Sequence, residues 1–327
     1  MSSLQILDVG AKFGVHPSNL PLLKYAEHLL IDADTHECAY LEKKYEDYEN
    51  IKCINALVTS KSDCEINPTK DLLIYAHPGG DSIFEPDLEN LYWSKLRPGS
   101  ATITDKLQIK TTTLDIICDE HGFCPSYLKI DIEGAEVLAL QGSSHILEHH
   151  VLCVRIEVEF TTLYKNHEPS FSEIYKILYL NDFVLINFDL FANSFAPFSE
   201  YHQVSSFGQL IGGDCIFVKN PNNLSALSNV QLLDYALFCL LNNIEDLAIK
   251  VLLDCSSAEP FVNRFKNQDS SFIDSRIALL EKKVASLFFS LKDKPRFSME
   301  SFGEPWAKIF GTEWISHGDY YRKYPLS

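Results

Sequence analysis

The segment Leu128-Lys129-Ile130-Asp131-Ile132-Glu133-Gly134-Ala135-Glu136 begins as an apolar strand and ends with three carboxylates around one glycine. A helical pattern, Val137-Leu138-Ala139-Leu140, follows at once. Open α/β sheets carry their chemistry where a strand ends in polar residues and turns into a helix. The segment therefore predicts a strand of such a sheet, with a reactive site at its carboxyl end.

A second segment, Ile6-Leu7-Asp8-Val9-Gly10-Ala11-Lys12-Phe13-Gly14, has the same plan of a strand followed by a glycine-bearing turn. Glycine lets the backbone approach a ligand closely, and the N-terminus of a following helix offers free N–H groups. An ordinary tight turn between a strand and a helix is the alternative. Together the two segments predict a nucleotide-type cofactor at this turn and a reaction near the other.

Strands and helices alternate up to about residue 185, which predicts a mostly parallel sheet covered on both faces. The predicted strands are residues 6–9, 29–31, 51–58, 72–76, 127–132, 152–159, 183–188 and 214–218. The predicted helices are residues 17–28, 38–48, 135–148 and 172–180.

The character of the chain changes after residue 220, where three further helices are predicted at 230–242, 244–253 and 275–291. Two domains follow from this change: residues 1–220, which carry both motifs, and a helical C-terminal region, residues 221–327. In the last helix Ile277, Leu280, Val284, Leu287 and Leu291 form an apolar seam. A packed core face and a short coiled coil both fit this spacing. We expect the region to cover an acceptor site or to join subunits into a homo-oligomer.

Composition excludes several classes of function. The net charge is −17 and there is no Lys/Arg run, so nucleic-acid binding is disfavoured. Nine cysteines lack any C-x-x-C pair, which predicts reduced thiols in a cytoplasmic protein rather than a zinc site. No segment approaches the ~20 apolar residues that a membrane span needs, and the N-terminus lacks the parts of a signal peptide.

Taken together, the two motifs resemble those of the FkbM family of S-adenosylmethionine-dependent methyltransferases. Thr112-Thr113-Leu114-Asp115 and the strand Val154-Arg155-Ile156-Glu157-Val158-Glu159 also fall where that family has corresponding segments. The resemblance covers the first two thirds of the chain. It implies a class I, Rossmann-like methyltransferase fold: a mostly parallel seven-stranded sheet with an antiparallel edge near residues 214–218.

The same resemblance implies S-adenosylmethionine as the cofactor. Lys12 stands where the family has asparagine, so it reaches the cofactor carboxylate or points to solvent. Asp32 and Asp34 follow the second strand, where an acid can accept both ribose hydroxyls; we expect this role for Asp32 and helix capping for Asp34. The predicted cofactor-binding residues are Asp8, Gly10, Lys12, Gly14, Asp32, Asn55 and Ala56.

Asp131 is the predicted catalytic base, with Glu133 as its partner. Methyl transfer from a sulfonium to an alcohol is an in-line displacement, so a base must take the proton of the alcohol as the new bond forms. Negative charge from Glu133 and Glu136 would raise the proton affinity of one member of the cluster. The alternative is that these acids cap the following helix, which we expect to be the role of Glu136.

Three residues are predicted to contact the acceptor: Ser82, Glu157 and Glu159. Ser82 lies in a glycine-bearing segment, Gly79–Pro86 in extent, that resembles a loop of the family. Glu157 and Glu159 share a strand face with Arg155, where they would bind a sugar hydroxyl or a metal, or form ion pairs at an edge. No metal site is predicted.

The predicted reaction is therefore O-methylation of a sugar, glycan or related natural product. A catalytically inactive, Rossmann-like binding module is one alternative. A nucleotide-sugar or dinucleotide enzyme is another, although Ala11 and Lys12 interrupt the G-x-G-x-x-G pattern that dinucleotide binding uses.

Overall fold

The computed structural model describes residues 4–90, 92–93, 99–193 and 209–254, all within the first of two compact units, Met1–Ile277 and Ala278–Ser327. The strands are β1 (Leu4–Val9), β2 (Ala26–Asp32), β3 (Ile51–Asn55), β4 (Leu57–Val58), β5 (Thr69–Tyr75), β6 (Ile103–Thr112), β7 (Tyr127–Ile130), β8 (Cys153–Glu159), β9 (Phe183–Asn193) and β10 (Gln209–Lys219). The helices are α1 (Thr35–Lys44), α2 (Lys61–Ile66), α3 (Leu114–His121), α4 (Glu136–Gln141), α5 (Ser144–His149), α6 (Phe171–Leu180), α7 (Asn229–Leu241) and α8 (Glu245–Asp254). Two 3-10 helices, Pro17–Leu22 and Leu224–Ala226, connect them.

The main sheet has seven strands in the order β3-β2-β1-β7-β8-β10-β9. Its strands pair in parallel except for β10, which is antiparallel to both of its neighbours. This is the strand order of class I methyltransferases, so the predicted fold class is confirmed. The antiparallel strand lies one place in from the edge, and β9 forms the edge itself.

The strand order reverses between β1 and β7, and this reversal determines where a ligand can bind. The chain runs outward from β1 to β3 on one side and returns to β7 on the other. In open sheets the crevice at such a reversal, outside the carboxyl ends of the strands, is the usual ligand site. Both motifs predicted from sequence lie at this crevice, because β1 and β7 pair directly from Ile6 to Val9.

The two faces of the central strands differ in character. Leu7, Val9, Leu128 and Ile130 point into the main hydrophobic core, which α3 to α6 also enter. Successive side chains of a strand point to opposite faces. Asp8, Lys129 and Arg155 therefore lie on the other face, which is polar near the carboxyl ends of the strands.

The strand predicted at residues 51–58 is wrong in one respect, because it is interrupted at Ala56 and forms two strands, β3 and β4. β3 belongs to the main sheet, whereas β4 joins a second sheet of order β4-β6-β5. The Asn55 side chain donates to the carbonyl oxygens of Asp32 and Ala33, 3.1 and 2.9 Å away, which ties the end of β3 to the end of β2. The chain then turns away from the main sheet.

Two predicted helices are shorter than the sequence pattern indicated. The helix predicted at 17–28 is only the 3-10 helix that contains Pro21, and β2 begins as early as Ala26. Proline lacks the N–H that a regular helix needs. The helix predicted at 135–148 divides into α4 and α5 at Gly142, where a Cβ atom would lie 2.3 Å from the carbonyl oxygen of Thr59.

Helices α7 and α8 confirm the helices predicted at 230–242 and 244–253. The hydroxyl of Tyr127 donates to the carbonyl of Asp234, and the Tyr127 ring lies 4.7 Å from that of Phe238. Helix α7 therefore packs on the start of β7. The division of the chain at residue 220 stays a prediction, and the helix predicted at 275–291 lies outside the described residues.

Candidate active site

A cavity of about 730 Å³ opens at the carboxyl ends of β1, β2 and β7. A volume of this size suits a small-molecule ligand. Most of the predicted cofactor and catalytic residues line it: Gly10, Lys12, Gly14, Asp32, Ala56, Asp131 and Glu133. The other predicted residues, Asp8, Asn55, Ser82, Glu157 and Glu159, lie beside the cavity rather than on its wall.

The glycines of the first turn are required by the turn itself. Gly10 has a φ of +77° and Gly14 a φ of +111°, values that side-chain-bearing residues rarely adopt. A Cβ atom on Gly10 would lie 1.7 Å from the carbonyl oxygen of Asp131, and one on Gly14 would lie 2.3 Å from the Tyr45 hydroxyl. Packing of the turn against its own neighbours therefore explains both glycines, whether or not a ligand approaches.

The expectation of free N–H groups at this turn is wrong for four of its residues. Gly10 and Ala11 both donate to the carbonyl oxygen of Ile31, and Gly14 donates to that of Ala11. The N–H of Phe13 donates to the Glu37 carboxylate at 2.8 Å. The neighbouring strand, the turn itself and α1 therefore satisfy these donors, and the segment that follows the turn is a 3-10 helix, Pro17–Leu22, rather than a regular one.

Lys12 lines the cavity and does not point to solvent, while its predicted contact with the cofactor carboxylate stays a prediction. Its ammonium group pairs with Asp81, in the loop after β5, and lies 3.8 Å from Asp34. Burial lowers the pKa of Lys12, but the hydrogen bond and charge of Asp81 outweigh burial and raise it. Lys12 therefore fastens the loop around Asp81 to the first turn.

Asp32 occupies the position predicted for ribose binding. It ends β2, lines the cavity and is only 8% exposed. Burial raises the pKa of Asp32 to about 6, and the N–H of Asp34, which donates to Oδ1 at 2.8 Å, opposes this shift. Asp34 is the N-cap of α1 and accepts the His36 N–H at 2.9 Å, so its predicted capping role is confirmed.

An apolar wall of the cavity lies between Asp32 and the second turn, which is the segment of residues 131–135 between β7 and α4. Ala56 begins this wall, and the other apolar members come from the second sheet, from the loop after β5 and from the segment after β7: Leu57, Val58, Leu72, Ile83, Ile132 and Ala135. A flat, largely apolar ring such as adenine would bury its faces there. The side chain of Asn55 holds the strand ends together instead of facing this wall.

Glu136 fixes the second turn. Its carboxylate accepts the N–H groups of Ile132 and Gly134 at 2.8 and 3.0 Å, where Glu133 and Gly134 both have positive φ. Burial raises the pKa of Glu136 to about 7, although these backbone hydrogen bonds lower it. Glu136 therefore holds the turn before α4, whereas the sequence predicted that it caps that helix.

Asp131 and Glu157 form a pair of carboxyl groups on adjacent strands. The Asp131 side chain is 39% exposed toward the cavity, and Glu157 of β8 is hydrogen-bonded to it from the protein side. Burial, followed by the charges of Asp131 and Glu133, raises the pKa of Glu157 well above its usual range. A carboxyl group with a raised pKa can hold a proton beside the Asp131 carboxylate.

Glu133 completes an acidic group around the second turn. It accepts a hydrogen bond from the Tyr164 hydroxyl at 2.9 Å. Carboxylate oxygens of Asp131, Glu133 and Glu157 lie within 4.8 Å of one another, a spacing at which they could jointly hold a metal ion. Carboxylates this close repel one another, and a proton on one of them would reduce the repulsion without a metal.

Lys129 is a site residue that the sequence interpretation missed. Its ammonium group donates to the carbonyl oxygen of Gly10 at 2.9 Å and lies 3.3 Å from both Asp8 and Asp131. Burial lowers the pKa of Lys129, but Asp8 and Asp131 raise it above its usual value. The informative pattern was its place two residues before Asp131, which puts both side chains on the same face.

The remaining predicted residues support the site from outside the cavity. Asp8 is buried and accepts the His16 N–H at 3.2 Å. Ser82 donates to the carbonyl oxygen of Glu133 at 2.6 Å. Glu159 is buried 3.6 Å from His167, and burial raises the pKa of Glu159 to about 9.

Residues 8–185 match the family model described as the Methyltransferase FkbM domain. The matched segment includes both turns and every residue that lines the cavity. No curated protein matches the chain.

Solved structures with a similar chain include several methyltransferases. Methyltransferase FkbM from Methylobacillus flagellatus KT is 15% identical, with 66% of this chain and 43% of that chain covered and a TM-score of 0.34. A putative tRNA methyltransferase from Streptococcus pneumoniae is 10% identical, with coverages of 89% and 93% and a TM-score of 0.34. A dimethyladenosine transferase from Plasmodium falciparum is 11% identical, with coverages of 96% and 93% and a TM-score of 0.30. The chain spans less than half the length of the FkbM structure that it matches.

Proposed function

The chain belongs to the FkbM methyltransferase family, whose model matches more than half of it, and we propose that it moves a methyl group from S-adenosylmethionine to a hydroxyl oxygen of a sugar, glycan or related natural product. One observation carries this proposal. Asp131 ends the strand beside the first turn and faces the same cavity as Asp32. A candidate base and a candidate ribose-binding acid thus share one ligand-sized space.

The cavity residues fit S-adenosylmethionine. Asp32 would hold the ribose, since a carboxylate at the end of the second strand can accept two hydroxyl hydrogens. The apolar wall that begins at Ala56 would hold the adenine. The first turn would hold the amino-acid end, where Lys12 would supply a positive charge already shared with Asp81.

When bound, S-adenosylmethionine supplies an electrophilic methyl group on a positively charged sulfur. Asp131 accepts the proton of the acceptor hydroxyl and complements that positive charge. Glu157, whose pKa is raised by burial and by the neighbouring carboxylates, lies close to Asp131 and would orient its carboxylate toward the cavity. Glu133 lines the cavity next to it and is held there by the hydroxyl of Tyr164.

An oxygen acceptor suits this site better than a strong nucleophile that needs no base. An alcohol must lose its proton as the new bond forms, and a positioned carboxylate provides for that. Phe84 and His167, whose rings lie 4.5 Å apart, flank the acidic group. Aromatic rings beside carboxylates are a common surface for sugars, and this combination favours a carbohydrate acceptor.

The same residues leave two rival functions to be tested. A catalytically inactive binding module would retain Asp32 and the apolar wall but would have no use for Asp131. A nucleotide-sugar or dinucleotide enzyme would need a turn for a diphosphate, and the N–H groups of Gly10 and Ala11 are already bonded to Ile31.

Two measurements test the proposal in sequence. Calorimetric titration with S-adenosylmethionine, S-adenosylhomocysteine and NAD should give binding of the two sulfur compounds and none of NAD. Methyl transfer from labelled S-adenosylmethionine to extracted cell-surface glycans should then depend on Asp131. Binding of NAD alone would favour the dinucleotide enzyme, and binding of the sulfur compounds without transfer to any hydroxyl acceptor would favour the binding module.

A cytoplasmic location and a homo-oligomer formed through the C-terminal region belong to the same proposal. All eight cysteines in the described part of the chain are free thiols, as a reducing compartment favours. Within that part, no helix has both the length and the apolar composition of a membrane crossing. Size measurement in solution tests the oligomer directly.

A further inference from the structure

Lys129 occupies an unusual position for a lysine. It lies inside the main sheet, on β7, and is only 7% exposed. Charged lysines are rarely buried unless they are paired, because removing the ammonium group from water is costly. Its three contacts are to Gly10, Asp8 and Asp131, at 2.9, 3.3 and 3.3 Å.

These contacts join two parts of the site that the chain order separates widely. Gly10 belongs to the first turn, and Asp131 to the second. The backbones also meet directly, because the N–H of Asp131 donates to the carbonyl oxygen of Val9 at 3.0 Å. Lys129 adds a charged contact at the same junction, between the backbone of one turn and the reactive carboxylate of the other.

Asp8 shows how much of this junction depends on the lysine. Its Oδ1 atom is buried and accepts no hydrogen bond of good geometry, so the charge of Lys129 is what compensates it. Its Oδ2 atom accepts the N–H of His16, which follows the first turn. Asp8 therefore pairs with the Lys129 ammonium group through one carboxylate oxygen and binds the backbone of His16, after the first turn, through the other.

We propose that Lys129 is the positioning residue of the methyl-transfer site, setting the first turn and the Asp131 carboxylate at a fixed separation. The inference rests on the proposed function, since it assigns Gly10 to the cofactor and Asp131 to the acceptor. Lys129 also lines the cavity, between the two groups that it joins. It acts on cofactor affinity through the Gly10 carbonyl and on turnover through Asp131.

The test compares three variants of the full chain. Lys129→Met removes the ammonium group but leaves the buried charge of Asp8 without compensation, which alone can unfold the protein. Lys129→Met combined with Asp8→Asn removes both charges together and keeps the fold. Lys219→Met is the control, because Lys219 is partly buried and donates to two backbone carbonyls, those of Leu147 and Asn181, away from the cavity.

The readouts are the thermal midpoint, the dissociation constant of S-adenosylhomocysteine, and kcat at saturating S-adenosylmethionine. The double variant should have a thermal midpoint near that of the wild type. It should bind S-adenosylhomocysteine roughly tenfold more weakly, as the loss of a charged hydrogen bond implies. Its kcat should stay below that of the wild type even at saturating S-adenosylmethionine. In an Asp131→Asn background, removing Lys129 should lower kcat no further. Lys219→Met should lower the midpoint alone.

Two results would overturn the inference, and only the second would also overturn the proposed function. If the folded double variant binds S-adenosylhomocysteine within twofold of the wild type and keeps its kcat, Lys129 only fills space, and the proposed function is untouched. If the wild type itself binds no S-adenosylhomocysteine, the proposed function fails and the role of Lys129 fails with it.

Discussion

A Cβ atom on Gly10 would lie 1.7 Å from the carbonyl oxygen of Asp131, so the two turns of the site are in direct backbone contact. The contact explains how a turn near the N-terminus and a strand end more than a hundred residues later form one cavity. It also means that a change in either turn is felt in the other.

Gly10→Ala should therefore damage the protein more than an ordinary turn substitution. The residue combines a φ of +77° with this contact, and backbone strain plus a steric clash costs about 2–4 kcal/mol. Denaturant unfolding should give a correspondingly lower free energy of unfolding. Gly122→Ala is the control, because Gly122 also has a positive φ but nothing lies within 4 Å of an added Cβ atom. Equal losses in the two variants would mean that the contact with Asp131 is unimportant.

Asp32→Asn should stabilise the free protein and weaken ligand binding. Burial raises the pKa of Asp32 to about 6, so at pH 8 the folded protein contains an ionised carboxylate that burial destabilises. The neutral amide removes this destabilisation and raises the free energy of unfolding by on the order of 1–3 kcal/mol. S-adenosylhomocysteine should bind more weakly by roughly 1–3 kcal/mol. Asp34→Asn, which keeps the N-cap oxygen, should leave binding unchanged. Unaltered affinity in Asp32→Asn would remove the ribose assignment.

The protein should lose stability as the pH rises from 5 to 9. The pKa values of Asp32, Glu136 and Glu159 are raised to about 6, 7 and 9, chiefly by burial. A raised folded-state pKa gives stability that is present below the unfolded value and lost as pH rises to the folded one. The loss is about 1.4 kcal/mol per pH unit for each group. Denaturant unfolding at each pH measures it, and Glu159→Gln should make the fall between pH 7 and 9 shallower. A free energy of unfolding that rises over this range would contradict the assignment.

A chain ended after residue 220 should not behave as an independent methyltransferase domain. It lacks α7, whose buried side chains include Tyr235, Leu237 and Phe238, and whose removal exposes the start of β7. We expect weakened cofactor binding, no acceptor methylation, and aggregation or dye binding at the exposed apolar surface. A chain ended after residue 254 retains α7 and α8 and is the matched comparison. If the shorter chain is as soluble and active as the longer one, the C-terminal region is a separate module.

The parts of the fold that the sequence predicted are those governed by local pattern. The strand and acidic turn around Asp131, the strand before Gly10, and the helices now called α7 and α8 all follow from apolar periodicity and glycine placement. The break at Ala56 was not predictable, because it depends on the Asn55 side chain reaching the carbonyl groups of β2. Such a contact joins residues that only the folded sheet brings together.

The site followed the same rule as the fold: local patterns were predictable, and contacts between residues far apart in the chain were not. The sequence identified the residues at strand ends that line the cavity, such as Asp32 and Asp131. It did not identify Lys129 as a partner of Asp131, although Lys129 lies two residues before it on the same face. The contacts of Lys129 with Asp8 and of Glu157 with Asp131 join different strands, which the sequence does not show. It also assigned turn N–H groups to a ligand, whereas the neighbouring strand takes two of them through Ile31.

The most direct test of the account is the rate of methyl transfer by Asp131→Asn, measured with S-adenosylhomocysteine binding on the same preparation. The amide keeps the shape of the side chain but cannot take a proton. The account predicts an unchanged dissociation constant and a rate lower by on the order of 10²–10⁴-fold, as the loss of a general base implies. A wild-type rate of transfer to the hydroxyl acceptor would contradict it.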